Sequence, residues 1–309
     1  MNLKKPKFWD YKKPNIYAYL LSPFSLFINI VSKLKFYNRK KEFNIKTICV
    51  GNIYIGGTGK TSLSIKINEI LNKKKIKSCF IKKFYKNQTD EQKILSKNGK
   101  LFLSNKRIEA LKQAQKENYD VAIFDDGLQD RSINYNKTFV CFNNINWVGN
   151  GMSIPAGPLR ESLHNLKKYE HIFLNGNLEN LEFIKNEVLK INPKINIHIG
   201  KYIGTNLDQF DKKFKYLVFS GIGNHKTFIS MLKKYGLNIF KEIEFPDHYH
   251  YTNDDINKIL DLAVKYDCKI ITTEKDYLRI NNKYLSKIKF VKSELQIIDE
   301  ELFSKFLLL

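Results

Sequence analysis

Residues 46–61 read KTICVGNIYIGGTGKT. An apolar run over Ile48–Val50 leads into a glycine-rich turn, and a helical pattern over 62–71 follows it. This order of strand, turn and helix is the setting of a phosphate-binding loop, in which backbone N–H groups and a helix N-terminus hold phosphate oxygens. Tyr54 stands where such loops carry their first glycine, five residues before Gly59. Despite this departure, the stretch predicts a P-loop that binds a nucleoside triphosphate.

The turn and its flanks supply the predicted nucleotide contacts. They are Tyr54, Ile55, Gly56, Gly57, Thr58, Gly59, Lys60 and Thr61. In a P-loop the lysine reaches the β- and γ-phosphates, and the hydroxyl after it holds Mg²⁺. We therefore expect Lys60 to act in catalysis, Thr61 to ligate the metal, and a nucleoside triphosphate with Mg²⁺ to be bound here.

A second strand end supplies the acidic partner that such a site needs. Residues 119–127 read YDVAIFDDG, in which four apolar residues precede Asp125 and Asp126, as in the Walker B motif. The carboxyl ends of parallel strands meet at one edge of a sheet, so these carboxylates are expected beside the P-loop. Adjacent side chains on a strand point to opposite faces, so one is expected to face the metal and the other to orient a neighbour. Both are candidate metal ligands, and Asp126 is also a candidate catalytic residue.

Longer motifs resemble the tetraacyldisaccharide 4′-kinases of lipid A synthesis. They are GN and GGTGKT within 51–61, DDGLQ at 125–129, PAGPLRE at 155–161, GIGN at 221–224, FPDH at 245–248 and TEKD at 273–276. The resemblance covers nearly the whole chain. The P-loop alone is shared by many NTPases, whereas PAGPLRE together with DDGLQ and TEKD is far more specific.

The resemblance implies a peripheral enzyme on the cytoplasmic face of the inner membrane. Its reaction would transfer the ATP γ-phosphate to the 4′-hydroxyl of an acylated glucosamine disaccharide 1-phosphate, giving lipid IVA. By the same resemblance, Asp90 is the candidate base, His248 its partner, and Glu161 a ligand of Mg²⁺. The implied substrate contacts are Gln129, Arg131 and Arg160.

The chain departs from the family pattern at several positions. Lys83-Phe84-Tyr85 stands in place of Arg-Gly-Tyr, and the stretch from there to Asp90 is shortened. Asp130 replaces a histidine, and His225 replaces the proline after GIGN. These departures concern the substrate contacts more than the ATP site.

The N-terminal arm is strongly basic. Residues 1–46 hold eleven basic and two acidic side chains, a net charge of +9. We expect a helix from Pro23 to about Asn38, with Ser22 as its N-cap. Its apolar face would consist of Phe24, Phe27, Ile28, Val31 and Leu34. Such a helix, about 24 Å long, is too short to cross a hydrocarbon core of about 30 Å. Two readings remain open, an interfacial helix on an anionic membrane or a helix packed on its own domain.

Strand and helix patterns alternate along the whole chain, which indicates an α/β protein with parallel sheets. We expect a basic amphipathic arm at 1–44 packed with the first domain, a P-loop NTPase-like kinase domain at 45–210, and a second, smaller α/β domain at 211–309. The predicted strands are 45–51, 76–82, 119–125, 138–143, 171–175, 196–203, 215–221, 238–245, 268–273 and 287–292.

Composition limits the class of protein. The chain has 309 residues, 43% of them hydrophobic, so it is long and apolar enough for a sizeable core. The net charge of +22 favours anionic partners such as phosphate, nucleic acid or a membrane surface. The four cysteines are far apart and form no CxxC pair, which indicates a reducing, cytosolic location.

Two other functions share part of these signals. A P-loop switch or metallochaperone acting on a protein partner would carry a guanine-reading Asn-Lys-x-Asp or Cys/His clusters, and the sequence has neither. A nucleic-acid-binding ATPase would spread its basic charge along a groove, whereas here the arm holds +9 of the +22. We therefore expect a monomeric kinase that binds ATP, a glycolipid and an anionic membrane surface, and no nucleic acid.

Overall fold

The computed structural model describes residues 5–34, 43–85, 89–130 and 132–308. Within it the chain forms two compact units. The first runs to Gly200 and takes in the C-terminal segment from Ile297, and the second is Lys201–Gln296. The sequence pattern put the boundary after residue 210 and assigned the whole C-terminus to the second domain. The last strand of the chain joins the edge of the larger sheet, and the C-terminal segment then belongs to the first unit. The hydrophobic pattern of the sequence does not show which strands are neighbours.

The bounds of the elements are as follows. The helices are α1 (Ile16–Leu34), α2 (Lys60–Lys73), α3 (Thr89–Asn98), α4 (Arg107–Lys116), α5 (Leu181–Ile191), α6 (His225–Tyr235), α7 (Asn253–Lys265), α8 (Glu274–Tyr277) and α9 (Glu300–Leu307). The strands are β1 (Lys46–Gly51), β2 (Ser78–Lys83), β3 (Leu101–Ser104), β4 (Val121–Asp125), β5 (Lys137–Asn143), β6 (His171–Asn175), β7 (Asn196–Gly204), β8 (Lys215–Ser220), β9 (Asn238–Glu244), β10 (Cys268–Thr273), β11 (Ile288–Val291) and β12 (Ser293–Ile297).

The larger sheet has eight strands, ordered β12-β7-β6-β5-β1-β4-β2-β3, and those from β6 across to β3 lie wholly in the first unit. The strands from β3 across to β7 pair in parallel. Strand β4 is buried along its whole length, and β1 is buried after its first residue, as in a parallel sheet covered on both faces. Because β1 lies between β4 and β5, the P-loop at its carboxyl end is brought next to the end of β4. The predicted P-loop NTPase-like α/β fold is confirmed.

The second unit has its own parallel sheet, ordered β11-β10-β8-β9. One cluster of buried side chains includes Leu217 and Phe219 from β8 with Ile256 and Ile259 from α7. The capping box that starts α7 is formed by Thr252 and Asp255, as the T-x-x-D pattern predicts.

The sequence reading missed two strands, β3 and β12. Both are short, and they lie at the two edges of the large sheet. Edge strands bury less apolar surface than central ones, so their hydrophobic runs are brief and their pattern is weak.

Helix α1 begins seven residues before the position that the sequence predicts. Asn15 accepts a hydrogen bond from the backbone N–H of Ala18, so the helix starts earlier, and Pro23 lies inside it. Proline has no N–H for the carbonyl of Tyr19, and the Ser22 hydroxyl donates to that carbonyl instead, at 2.8 Å. Ser22 is therefore not the N-cap.

Part of the predicted apolar face of α1 is described. Phe24, Phe27 and Ile28 are exposed, whereas the side chains of Val31 and Leu34 lie outside the described residues. Among the residues that the structure describes, none of the helices is both long and apolar enough to cross a membrane.

Candidate active site

The P-loop joins β1 to α2 and leaves the first turn of α2 open to an anion. Gly59 is the residue before the helix, with a φ of 78°, and no side chain caps the helix N–H groups there. Asn52 is buried and donates to the Thr58 hydroxyl at 2.9 Å, and Asn175 donates to the Thr58 carbonyl at 2.7 Å. These bonds fix the loop to the ends of β1 and β6. Gly56, with a φ of 124°, allows the turn between them.

Two of the predicted nucleotide contacts pair with another loop. The backbone N–H of Ile55 donates to Pro158, and Tyr54 forms a β-bridge with Leu159. The Tyr54 ring is buried, and its hydroxyl donates to Asp10. The structure thus joins the start of the P-loop to the PAGPLRE segment and the N-terminal arm.

Asp125 lies at the centre of a buried set of oxygen and nitrogen atoms. Its carboxylate accepts from the Thr61 hydroxyl at 3.2 Å, from Ser64 at 3.4 Å and from the Lys82 ammonium at 2.6 Å. Lys82 also donates to Glu91 at 2.6 Å. Burial alone would lower the pKa of Lys82, but the charges of Asp125 and Glu91 raise it above its ordinary value. Lys82 is therefore a permanent cation beside the predicted metal ligands.

Asp126 faces the mouth of the P-loop. Its Oδ1 lies 3.7 Å from the Lys60 ammonium and 3.1 Å from the Arg160 guanidinium, and Arg107 donates to its carbonyl at 2.6 Å. Burial alone would raise the pKa of Asp126, but Lys60 and Arg160 hold it below its ordinary value, so the carboxylate is ionised at neutral pH.

A cleft of about 390 Å³ opens beside Asp126. It is lined by Lys83, Tyr85, Arg107, Asp126, Gln129, Asp130 and Arg160. Gln129 accepts from Arg160 at 2.9 Å and donates to the carbonyl of Asn52 at 3.0 Å, which ties the DDGLQ motif to both the PAGPLRE loop and the P-loop. Asp130, one of the departures from the family pattern, lies 3.4 Å from Arg107.

The other predicted site residues of the first unit are Asp90, Glu161 and Arg131. Asp90 lies in the first turn of α3, next to Glu91. Glu161 accepts from Asn165 at 2.7 Å and from Tyr169 at 2.9 Å, both in its own loop. No group of three or more potential metal-binding side chains occurs among residues 5–34, 43–85, 89–130 and 132–308. Arg131 lies outside the described residues.

His248 belongs to the second unit, where three motifs form one network. Buried Asp276 of TEKD accepts from the backbone N–H of Gly221 in GIGN at 3.0 Å and from Tyr251 at 2.9 Å. Arg279 donates to the Gly221 carbonyl at 2.9 Å, and its Nη2 lies 3.4 Å from His248 Nδ1. His248 itself has a φ of 59° and donates its N–H to Gly221 at 3.1 Å.

Sequence reasoning missed Lys82, Glu91, Arg107 and Arg279. Of these four, only Lys82 has a sequence pattern that indicates its role. It continues the apolar run of β2, and a charged side chain buried in a strand needs a partner of opposite charge. The other three charged residues look like solvated surface in the sequence. Their contacts depend on which strands are neighbours and on how the loops fold back.

The donor set fits a nucleoside triphosphate with Mg²⁺. An uncapped helix N-terminus and the Lys60 ammonium suit phosphate oxygens. Thr61, Asp125 and Asp126 supply the hard oxygen atoms that Mg²⁺ prefers. Mg²⁺ is commonly bound by one or two carboxylates together with substrate phosphates, so a cluster of three carboxylates is not required.

Comparison with known proteins gives full-length matches. The family model for tetraacyldisaccharide-1-P 4′-kinase matches residues 17–101 and 90–309. A tetraacyldisaccharide 4′-kinase of Pelagibacter ubique is 60% identical over 301 residues, which are 97% of this chain and 96% of that protein. The kinase of the same name from Rickettsia akari is 34% identical over 304 residues, covering 91% of this chain and 90% of that protein.

A solved structure has the same fold. LpxK from Aquifex aeolicus, determined in complex with ATP, has a TM-score of 0.66 at 20% identity, covering 94% of this chain and 98% of that one. The sequence matches and the P-loop, DDGLQ and PAGPLRE residues gathered around Asp126 lead to the same assignment. This chain belongs to the tetraacyldisaccharide 4′-kinase family.

Proposed function

We propose that this chain transfers the γ-phosphate of ATP to the 4′-hydroxyl of tetraacyldisaccharide 1-phosphate, giving lipid IVA. The observation that carries the proposal is the contact of Arg160 with Asp126 and Gln129. This contact joins the PAGPLRE loop to the DDGLQ motif at the end of β4, where Asp126 also lies beside Lys60.

The nucleotide is assigned to the P-loop. The backbone of 56–61 and the Lys60 ammonium are proposed to bind the triphosphate, with Thr61, Asp125 and Asp126 holding Mg²⁺. The metal, when bound, would neutralise charge on the phosphate oxygens. The ATP in the Aquifex aeolicus LpxK structure supports ATP as the donor here. Glu161, whose contacts lie in its own loop, is proposed to support that loop and is a weaker candidate for the metal.

The glycolipid headgroup is assigned to the cleft beside Asp126. Its three cations, Lys83, Arg107 and Arg160, outnumber its two carboxylates, Asp126 and Asp130. The net positive charge suits the phosphate of a disaccharide 1-phosphate. Gln129 and Arg131 remain proposed substrate contacts. Asp90 in the first turn of α3 is the proposed base, and His248 is proposed to assist it. General-base help of this kind is worth roughly 10²–10⁴-fold in rate.

Helix α1 is proposed to hold the enzyme on the cytoplasmic face of the inner membrane. Ser25 is buried and donates to the Ser153 carbonyl at 2.8 Å, so one side of the helix rests on the loop that leads to PAGPLRE. The other side exposes large apolar groups, which are Ile16, Tyr17, Tyr19, Leu20, Phe24, Leu26, Phe27 and Ile28. An apolar face within a basic segment suits an anionic leaflet.

Phosphate transfer tests the proposed function. Purified protein with γ-³²P-ATP, Mg²⁺ and the tetraacyldisaccharide 1-phosphate in mixed micelles should label the lipid. Lys60→Ala should lower the rate at least roughly 100-fold, because the ammonium lies where negative charge develops. Lys185→Ala, in an exposed pair with Glu182 on α5, is the matched control and should label the lipid normally. ATP hydrolysis by the wild type without labelled lipid would contradict the proposal.

A further inference from the structure

Lys82 places a positive charge inside the site that the sequence assigns to metal binding. Its side chain is 2% exposed, and its ammonium lies 2.6 Å from Asp125 Oδ2 and 2.6 Å from Glu91 Oε2. The two carboxylates come from different elements, the end of β4 and the first turn of α3. One ammonium therefore bridges two carboxylates that would otherwise repel each other.

The position of Lys82 follows from the sheet register. Ile81 of β2 is the partner of Phe124 of β4, so the next residues on the two parallel strands, Lys82 and Asp125, are neighbours at the carboxyl edge. The helix that follows β2 brings Glu91 to the same ammonium. Lys82 and Asp125 lie on two paired strands, and Glu91 lies in the first turn of α3.

The surroundings of this ammonium supply oxygen ligands. Asp125 Oδ2 accepts from Thr61, and Asp125 Oδ1 accepts from Ser64. The ammonium itself contacts two carboxylates, and one of these carries two hydroxyl neighbours. These oxygen atoms are of the kind that hard divalent cations take. A charge of +1 on Lys82 balances only one of the two carboxylates.

We propose that the Lys82 ammonium occupies, as a fixed cation, the place between Asp125 and Glu91 that would otherwise bind a divalent metal ion. The chain therefore binds a single Mg²⁺, the one that accompanies the nucleotide. Because Glu91 is next to Asp90, the same ammonium also fixes the first turn of the helix that carries the proposed base. The inference extends the proposed function, but its test needs neither substrate.

The test is the number of Mn²⁺ ions that each variant binds in the absence of nucleotide, measured by electron paramagnetic resonance and by titration calorimetry. Lys82→Met should bind one more Mn²⁺ per chain than the wild type, and its melting temperature should rise with Mn²⁺. Lys82→Arg keeps the charge and should match the wild type. Lys82→Met combined with Glu91→Gln removes one carboxylate and should lose the additional ion.

Three results would overturn the proposal. The first is a folded Lys82→Met that binds no more Mn²⁺ than the wild type. The second is an additional ion that persists when Glu91→Gln is added. The third is a Lys82→Met variant that stays unfolded with Mn²⁺ as it does without it, because the metal would then be unable to replace the ammonium. Failure of phosphate transfer in the wild type would instead contradict the proposed function and leave the Mn²⁺ counts unchanged.

Discussion

Arg160 links three parts of the first unit. Its side chain donates to Asp126 at 3.1 Å and to Gln129 at 2.9 Å, and its backbone N–H donates to Ile53 at 2.6 Å. A guanidinium has five donors in a rigid plane, so it can hold both acceptors and still present N–H groups to a phosphate in the cleft. Both bonds come from Nη1, so Nε and Nη2 keep their N–H groups in a fixed plane. A lysine ammonium could hold the two acceptors but would leave no such planar donors for the phosphate.

Replacing Arg160 with lysine should therefore impair catalysis while the fold survives. We expect kcat/KM for the lipid to fall roughly 10- to 100-fold, since a charged hydrogen bond contributes about 1.5–3 kcal/mol. Steady-state kinetics with circular dichroism as a folding check measures this. Lys190→Arg, in an exposed pair with Glu187, serves as the control. An Arg160→Lys enzyme with wild-type kcat/KM would show that the remaining guanidinium N–H groups are not used.

We predict that Arg279 fixes the tautomer of His248. A guanidinium only donates, so His248 Nδ1, 3.4 Å from Arg279 Nη2, must accept and the ring proton must lie on Nε2. ¹⁵N NMR of labelled protein at neutral pH should show the Nε2–H form in the wild type and in Arg279→Lys. Arg279→Met should show a mixture of both tautomers. A wild-type ring protonated on Nδ1 would contradict this assignment.

The role of a residue can be predicted from the sequence when the groups it acts with lie close to it along the chain. Lys60 and Thr61 belong to a contiguous motif whose backbone conformation defines the site, and the structure brings them beside Asp125 and Asp126. Lys82 acts through a neighbour 43 positions away, which only the order of β2 and β4 brings close. Such partners require the sheet topology, which local patterns do not contain.

At the scale of elements, α9 covers a pair of buried histidines. His171 Nδ1 lies 3.1 Å from His198 Nε2, and the rings contact Phe303 and Phe306 of the helix. Phe139 of β5 stacks on His171 with ring centroids 4.8 Å apart. Burial lowers the pKa of each histidine from 6.5 to about 4, so both rings are neutral in the folded protein at neutral pH.

This pair should make the protein less stable in mild acid. Between pH 6.5 and about 4 the unfolded chain binds protons on these rings and the folded chain does not, so stability falls as pH falls. The limiting slope is about 1.4 kcal/mol per pH unit for each histidine. Urea unfolding at pH 7 and pH 5 should show a smaller loss of stability in His198→Gln than in the wild type. Equal losses in the two proteins would refute the assignment.

We propose that membrane binding depends on the exposed side of α1. Phe24 and Phe27 are 62% and 67% exposed, so replacing both with serine should leave the folding stability nearly unchanged. Burial of a phenylalanine is worth about 1.5–3 kcal/mol, so sedimentation with anionic vesicles should weaken at least roughly 10-fold. Phe183→Ser on α5 removes a phenylalanine that is 61% exposed and is the matched control. Equal binding by all three proteins would exclude this face.

At the scale of the whole molecule, the alternation of strands and helices predicted the α/β class and the parallel sheets. It did not predict the course of the C-terminus, where β12 joins the edge of the large sheet and α9 packs in the first unit. The sequence pattern predicted no strand after 292, and the residues of β12 carry no mark of which sheet they complete. The net charge of +22 favours anionic partners as a class, to which the proposed glycolipid and membrane surface belong.

The central claim is that the P-loop and the cleft beside Asp126 phosphorylate one position of a glycolipid. Its most direct test is ³¹P NMR of the lipid recovered after reaction with ATP and Mg²⁺. We predict a second phosphomonoester signal that correlates with the proton at the 4′-carbon, formed together with one ADP for each lipid. ADP without a new lipid phosphate, or a phosphate at another hydroxyl, would contradict the account.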